Sequence, residues 1–567
     1  MAADGDRPRA AGRRHHRRTV APGCAHRQRH AHLVAEPQSR PAELHGRALI
    51  VVLSALMLAM LLAALDQTIV STALPTIVGE LGGLAQLSWV VTAYILTSTV
   101  STPLYGKVGD LYGRKRIFQA AIVIFLAGSM LCGIAQNMGE LIAFRALQGL
   151  GAGGLIVGAQ AIVGDLVSPR ERGRYMGYFG GVFALATIAG PLIGGFFVDH
   201  ASWRWVFYVN VPIGVAALAA VATVLHLPRY TVQHRVDYLG AALLAAGAGC
   251  IVLLATWGGT QYAWGSPQII GLGVAGVALL ALFVAVELRA KEPIVPMRLL
   301  RNSVFRNASA VGFIVGFGLF GAVVFLPQYM QVVRGFGATN SGLLMVPLMG
   351  GVLLTSIVSG QLISRTGRYK VFPIAGTALM ALGLFLLSTM RADTPIALTL
   401  VYMIVLGAGL GMVMQVLIVI SQNAVEYRDL GTATSVATFF RAMGGSLGVA
   451  AFGAIYSNAL TSNLSRLLPG FHLSGLSGGT GNASPHAIAL LPPVVHGSVI
   501  QAFADSLGSV FLFGVPFGAI AFLLCWGIKE IPLRTVARSG PPAAAGTAPE
   551  AASPAVAGVG ATSVEEP

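Results

Sequence analysis

Between residues 48 and 528 the sequence returns again and again to apolar stretches of about 18 residues or more, and this recurrence constrains the fold more than any other feature. A stretch of that length, wound as a helix rising about 1.5 Å per residue, crosses the roughly 30 Å of hydrocarbon in a bilayer. Spans are expected at 48–70, 86–106, 116–135, 140–166, 174–198, 204–226, 237–257, 267–288, 307–331, 340–363, 371–390, 395–421, 431–457 and 507–528. The chain is therefore read as an all-α polytopic membrane protein with fourteen spans. Its composition points the same way, because 55% hydrophobic and 10% charged residues leave too little charge to cover a soluble surface of 567 residues.

Lys and Arg orient these spans, since short loops rich in them stay on the cytoplasmic side. Loops after even-numbered spans hold eighteen, among them Lys107, Arg114, Arg170, Arg172, Arg365 and Arg368, whereas loops after odd-numbered spans hold only Arg204, Arg334, Arg391 and Arg466. Both tails are accordingly expected in the cytoplasm. The net charge of +15 does not indicate nucleic-acid binding, because the basic residues flank spans, where they set topology and meet anionic lipid. Residues 1–46, with "RRHHRR" and "HRQRHAH", lack apolar periodicity and are read as a disordered basic tail, and 531–567 as a second one. Cys24, Cys132, Cys250 and Cys525 show no paired spacing, so neither disulfides nor a metal site is expected.

The chain also repeats itself. "GKVGDLYGRKR" (106–116) and "GQLISRTGRYK" (360–370) both follow a span and align Gly106 with Gly360, Gly113 with Gly367 and Arg114 with Arg368. Two halves of similar build, at 47–228 and 306–530, are implied, with the two spans in 229–305 inserted between them and a long outer loop at 458–506. Membrane repeats of this kind mark transporters that rock one half against the other around a midplane site.

Six motifs then make the likeness specific. "LDQTIVSTALP" (65–75), "GKVGDLYGRKR", "RALQGLGAGG" (145–154), "GPLIGG" (190–195), "WRWVFYVNVPIG" (203–214) and "FFRAMGGSLGVA" (439–450) occur in order and on the matching spans. The chain resembles the fourteen-span drug:proton antiporter branch of the major facilitator superfamily. The resemblance implies two pseudo-symmetric six-helix bundles plus two additional central helices, working by alternating access.

Asp66 lies about 18 residues into the first span and would cost roughly 2.5–3.5 kcal/mol at a helix centre, so it must face a cavity or a partner. Withdrawal from water penalises the charged form of a carboxyl group, which suits it to exchanging a proton; the bland alternative is a structural pair near the outer interface. Arg145 enters the fourth span from outside and reaches a similar depth, with Gln148 one turn on. The resemblance assigns Arg145 to proton coupling with Asp66. Asp110, Gly113 and Arg114, with Gly106, form a tight turn that the resemblance makes a cytoplasmic gate, with Gly367 and Arg368 as its second copy. That copy has Ser364 where Asp110 stands, which weakens the case for two equal locks.

"GLGAGG" fits a dinucleotide fingerprint but sits inside an apolar helix with no preceding strand, so close helix packing explains it better and no cofactor is expected. The same applies to Gly190, Gly194 and Gly195, while Pro191 removes a backbone donor and permits a bend; the resemblance makes this the antiporter motif. Arg441 lies ten residues into its span with no acid in the spans of that half; it either faces the cavity and an anionic or carbonyl-bearing substrate or snorkels along its helix. Trp89, Tyr94, Phe317 and Phe320, together with Asp66, Gln148 and Arg441, are assigned to a substrate cavity whose apolar lining Phe325 and Phe440 could share, although for any single aromatic ordinary packing is the stronger reading.

The chain is expected to be no enzyme, for no histidine lies well inside a span and no paired acids appear. No polar stripe suggests a channel. A drug:proton antiporter in the cell membrane of a bacterium is the leading expectation, with a nutrient or metabolite importer or exchanger as the alternative. Its expected partners are a small drug-like molecule, protons and lipid, with the chain acting as a monomer. One intramembrane carboxylate disfavours dications, and the arginines leave room for neutral, zwitterionic or anionic substrates.

Overall fold

A computed structural model describes residues 46–82, 86–225, 237–259, 261–290, 292–468 and 492–533. The expected tails therefore lie almost wholly outside the described residues. The helices are α1 (Arg47–Leu81), α2 (Leu87–Tyr112), α3 (Arg114–Ile134), α4 (Met138–Leu166), α5 (Pro169–His200), α6 (Trp205–Tyr208), α7 (Asn210–Val224), α8 (Tyr238–Trp257), α9 (Pro267–Glu287), α10 (Met297–Arg301), α11 (Ser303–Gln328), α12 (Ala338–Leu343), α13 (Val346–Thr366), α14 (Val371–Ser388), α15 (Ile396–Asn423), α16 (Leu430–Leu467) and α17 (Pro493–Trp526).

Among the described residues thirteen helices, counting broken ones as single spans, are long and apolar enough to cross a membrane. The remaining expected span is α2, whose 26 residues are ample in length but whose Ser and Thr content dilutes its apolar character. With it the spans number fourteen. The sixth is interrupted at Val209, which separates α6 from α7 and puts Asn210 at the break.

Three helix ends depart from the sequence reading. α1 continues to Leu81, α16 to Leu467, and α17 begins at Pro493, so the segment expected as a loop over 458–506 is helical at both ends. The extensions are not apolar enough to read as membrane, yet they bury Leu460, Leu464, Val499 and Phe503, and Asn463 Nδ2 donates to Ser506 Oγ at 3.0 Å. Tertiary contact, rather than hydrophobic run length, carries the helix beyond the bilayer core.

Local chemistry sets the turns at the Lys/Arg-rich end, here called the basic end. Gly113, at φ 96°, lets α2 pass into α3 without a loop, and Gly367, at φ 74°, closes α13. Ser168 and Glu171 form a reciprocal capping box at the start of α5, with Pro169 as the first helical residue.

Packing repeats between the halves. α1 packs on α5 and α7, α4 on α2 and α3, and α3 on α7; in the second half α11 packs on α16 and α17, α15 on α13 and α14, and α14 on α17. Each pair in the first set has its counterpart in the second. The seams between bundles are also related: α2 lies against α16, and α5 against α13. The inserted α8 and α9 pack on each other, and α8 adds to the α2–α16 seam.

Candidate functional site

The glycines of "RALQGLGAGG" bring α4 close to its neighbours. A Cβ at Gly151 would lie 2.5 Å from Phe125 N on α3, and one at Gly149 would lie 2.9 Å from Tyr94 Cα on α2. A Cβ at Gly128 of α3 would in turn meet Gln148 Cα at 2.6 Å. These approaches draw Arg145 and Gln148 into the bundle interior beside Asp66 of α1. The fold thus gives the motif a packing role.

Asp66 is fully buried, and its Oδ2 lies 2.5 Å from Arg145 Nη1. Its Oδ1 accepts from Gln148 Nε2 at 2.7 Å and from Asn210 Nδ2 at 3.1 Å. Arg145, also buried, donates through Nη1 to Gln148 Oε1 at 2.8 Å and through Nε to the Val90 carbonyl at 3.4 Å. Its guanidinium sits 4.1 Å from the centre of the Tyr94 ring, whose hydroxyl donates to the Ala63 carbonyl at 3.1 Å. Asn210 Nδ2 also donates to Ser129 Oγ at 3.0 Å, and that hydroxyl donates to the Phe207 carbonyl at 2.8 Å. A buried charge pair is tolerable only when its remaining polar valences are met. Here α1, α2, α3, α4, α6 and α7 all contribute to meeting them.

The "GPLIGG" segment of α5 lies one turn from this cluster. A Cβ at Gly190 would strike Thr68, and one at Gly194 would come within 2.9 Å of the Ile69 carbonyl, so both glycines hold α5 against α1 just past Asp66. Thr68 Oγ1 donates across that contact to the Ala186 carbonyl at 3.0 Å. A Cβ at Gly195 would meet no atom within 4 Å, so this third glycine takes no part in the approach. Pro191 lies inside α5.

A second cluster spans the seams at the basic end. Asp110 accepts from the backbone N–H groups of Gly431 (3.1 Å) and Thr432 (2.7 Å) and from Thr432 Oγ1 (2.9 Å), so it caps the first turn of α16 from a different helix. Arg114 donates to Asp110 from Nε at 2.9 Å and pairs with Asp165. A Cβ at Gly106 would meet Ser435 and the Gly431 carbonyl at the same crossing. At the pseudo-symmetric seam, Arg170 donates to the Ser364 carbonyl at 2.9 Å and the Arg365 carbonyl at 2.5 Å, at the last turn of α13. One seam places an anion at a helix N-terminus and the other a cation at a helix C-terminus, each matching the helix dipole.

The second loop copy is built differently from the first. Arg368 is exposed, and the buried Tyr369 beside it accepts from Ile531 N at 2.6 Å and donates to the Lys529 carbonyl at 3.3 Å, tying this turn to the segment after α17. Gly367 supplies only the left-handed turn.

The residues assigned to one substrate cavity fall in several places. Asp66, Gln148 and Tyr94 are inside the first bundle. Trp89 packs edge-on to Trp257 of α8 at 5.1 Å, and Phe317 stacks on Phe517 at 4.4 Å in the second bundle. Phe325 packs on Tyr456 and Phe440 on Phe439. Each ring is captured by its nearest aromatic neighbour. The side chain of Phe320 lies outside the described residues. Arg441 stands apart on α16, where a Cβ at Gly316 of α11 would lie 3.2 Å from its Cγ. Sequence reasoning missed Asn210, Ser129 and Phe207; "WRWVFYVNVPIG" contains two of them, and a lone Asn in an apolar span was the available signal.

The family profile described as Major Facilitator Superfamily matches residues 56–449. Among curated relatives, an uncharacterized MFS-type transporter of Mycobacterium tuberculosis is 43% identical over 86% of this chain and 70% of its own length. The multidrug transporter protein MdtP of Bacillus subtilis is 37% identical over 85% of this chain and 93% of its own. Multidrug resistance protein 3 of the same species is 36% identical over 81% and 91%. Among solved structures, the proton:xylose symporter XylE aligns with a TM-score of 0.57 at 15% identity over 85% of this chain and 96% of that one, a likeness of fold. Its paired bundles, its motifs and these matches together make the chain a member of the Major Facilitator Superfamily, a membrane transporter.

Proposed function

We propose that the protein is a proton-coupled efflux transporter, a drug:proton antiporter that exports apolar or amphiphilic small molecules by alternating access. The names of the Bacillus relatives favour efflux of drug-like compounds. The observation that carries proton coupling is the fully buried Asp66, a lone carboxylate held by one guanidinium and two amides.

That arrangement has two ways of accommodating a proton. When Asp66 is protonated, Arg145 keeps the Tyr94 ring face, Gln148 Oε1 and the Val90 carbonyl, so its charge is not stranded. Asn210 Oδ1 is buried without a partner, and a half-turn of that amide offers the new Asp66 hydroxyl an acceptor. Loss of the ion pair loosens α1 from α4 and relaxes the α1–α5 contact through Thr68. External protons thereby favour release of cargo outward and the return of the carrier. The basic end and both termini face the cytoplasm in this reading, and the Asp110 and Arg170 contacts close that side.

The test compares drug accumulation in an efflux-deficient bacterial host carrying the intact protein or Asp66→Asn at matched expression. The intact protein is expected to lower accumulation and the variant not to. Equal accumulation removes Asp66 from the mechanism. Uphill extrusion from vesicles after both the pH gradient and the membrane voltage are collapsed would refute proton coupling.

A further inference from the structure

Away from the Asp66 cluster, the seam between the bundles carries polar side chains that packing leaves unmatched. Gln160 of α4 is fully buried, and neither its Nε2 nor its Oε1 has a partner. Gln422 of α15 donates Nε2 to the Gln160 carbonyl at 3.2 Å and to Thr434 Oγ1 of α16 at 2.9 Å, but its Oε1 is unmatched. Gln415, two turns earlier on α15, also has an unmatched buried Oε1. On α16, Thr434, Thr438 and Arg441 follow at helical spacing along one face. Thr434 fixes that face toward α15 and α4, while Thr438 Oγ1 and Arg441 Nη1 are both buried without partners.

Buried polar groups in folded proteins are nearly always paired, and a group of unpaired ones on facing helices asks for an explanation. In the Asp66 cluster a few helices away every polar side-chain atom but Asn210 Oδ1 is matched, so the chain can pair most such groups where it needs to.

Charge narrows the explanation. Arg441 lies about 16 Å along α16 from its start, deep in the span. Among the described residues of the second half, the acids are Asp393, Glu426, Asp429, Asp505 and Glu530, none on the membrane interior of α16. Asp429 pairs with Arg298 at 2.8 Å and Asp505 lies 3.6 Å from Arg466, while Asp66 is committed to Arg145. A guanidinium with a donor to spare and no counter-ion among the described residues suits a planar oxyanion, which it can grip through two parallel hydrogen bonds.

We propose that this seam receives the head group of the transported molecule, and that the head group is an oxyanion, a carboxylate, phenolate or enolate. Arg441 binds the charge, Thr438 one turn before it adds a hydrogen bond, the glutamines extend the polar lining along the helices beside it, and the apolar remainder of the molecule lies among the helices. This deepens the efflux reading by naming its substrate class, and it stands independently of proton coupling. A cationic drug placed here meets Arg441 with like charge.

The test is equilibrium binding to the full-length protein in lipid nanodiscs, without a gradient, using fluorescein as the aromatic oxyanion and ethidium as the cation. Fluorescein is expected to bind saturably. Arg441→Gln should weaken it by about tenfold or more, Arg441→Lys less, and Thr438→Val by a few-fold, with melting temperatures recorded to verify folding. Ethidium binding should not weaken in Arg441→Gln. Absence of saturable fluorescein binding by the intact protein, equal fluorescein affinity in folded Arg441→Gln, or equal loss of both dyes overturns the proposal. Because no gradient is applied, failure here leaves the Asp66 accumulation result unaffected, and failure there leaves this binding unaffected.

Discussion

Arg145 serves three acceptors from one guanidinium: Asp66 Oδ2, Gln148 Oε1 and the Val90 carbonyl, with its flat face toward Tyr94. A lysine keeps the charge but not the planar fork or the stacking surface. Arg145→Lys is therefore expected to lose most gradient-driven efflux while still reaching the membrane, which dye efflux and surface abundance measured on the same cells would establish. Asn210 is a different case, because it supplies one donor to a charged acceptor while holding Ser129. Asn210→Ala should destabilise the protein by about 1.5–3 kcal/mol, read as a lowered midpoint in thermal unfolding of the purified protein. An unchanged midpoint would mean that this hydrogen bond contributes nothing.

For the elements, the decisive distances are those between helix backbones. Gly194 touches α1 at the Ile69 carbonyl, whereas its neighbour Gly195 opens onto nothing within 4 Å. Adjacent glycines of one motif thus have opposite tolerances. Gly194→Val should force α5 off α1, at a cost of about 1–3 kcal/mol, and lower both folded yield and efflux; Gly195→Val should leave both near the starting level. Drug-resistance assays with quantified membrane expression separate the two. Among the inserted helices, Glu287 plays a comparable anchoring role. It is buried and accepts from Ile294 N at 3.0 Å and Val295 N at 3.4 Å, pinning the turn that leads from the inserted pair into the second bundle.

At the scale of the whole molecule, two seams of opposite electrical sense join the bundles at the basic end. Asp110 meets the N-terminus of α16, and Arg170 meets the C-terminus of α13. Each contact crosses between bundles, so under the proposed alternating access each breaks when the halves separate at that end. Asp110→Asn removes the negative charge while keeping the shape, forfeiting about 0.3–2 kcal/mol of helix-end stabilisation in the closed state. Spin labels at the exposed Arg174→Cys and Arg365→Cys positions should then report a larger population of long distances across the α5–α13 seam. An unaltered distance distribution would show that Asp110 does not bias access.

How much of this could be read from the chain differs by kind of feature. The spans were legible because crossing hydrocarbon demands long apolar runs, and the pairing of Asp66 with Arg145 was legible because an intramembrane charge is costly without a partner. The halves were legible from a repeated loop motif. Asn210 and Ser129 left no comparable trace: a neutral polar residue in an apolar helix becomes a ligand of Asp66 only when a neighbouring helix turns it inward. The aromatics assigned to one cavity went to separate partners for the same reason, since Trp89 and Phe317 are apolar wherever they point. Arg170 and Ser364 are nearly two hundred residues apart, and nothing local marks one as the partner of the other's carbonyl. The sequence by itself determined that this chain lies in a membrane, in fourteen passes and two related halves, because solvent acts on each segment separately. Which polar groups meet, and which remain unpaired at the seam, was decided only by tertiary packing, because those contacts depend on the rotation of one helix against another.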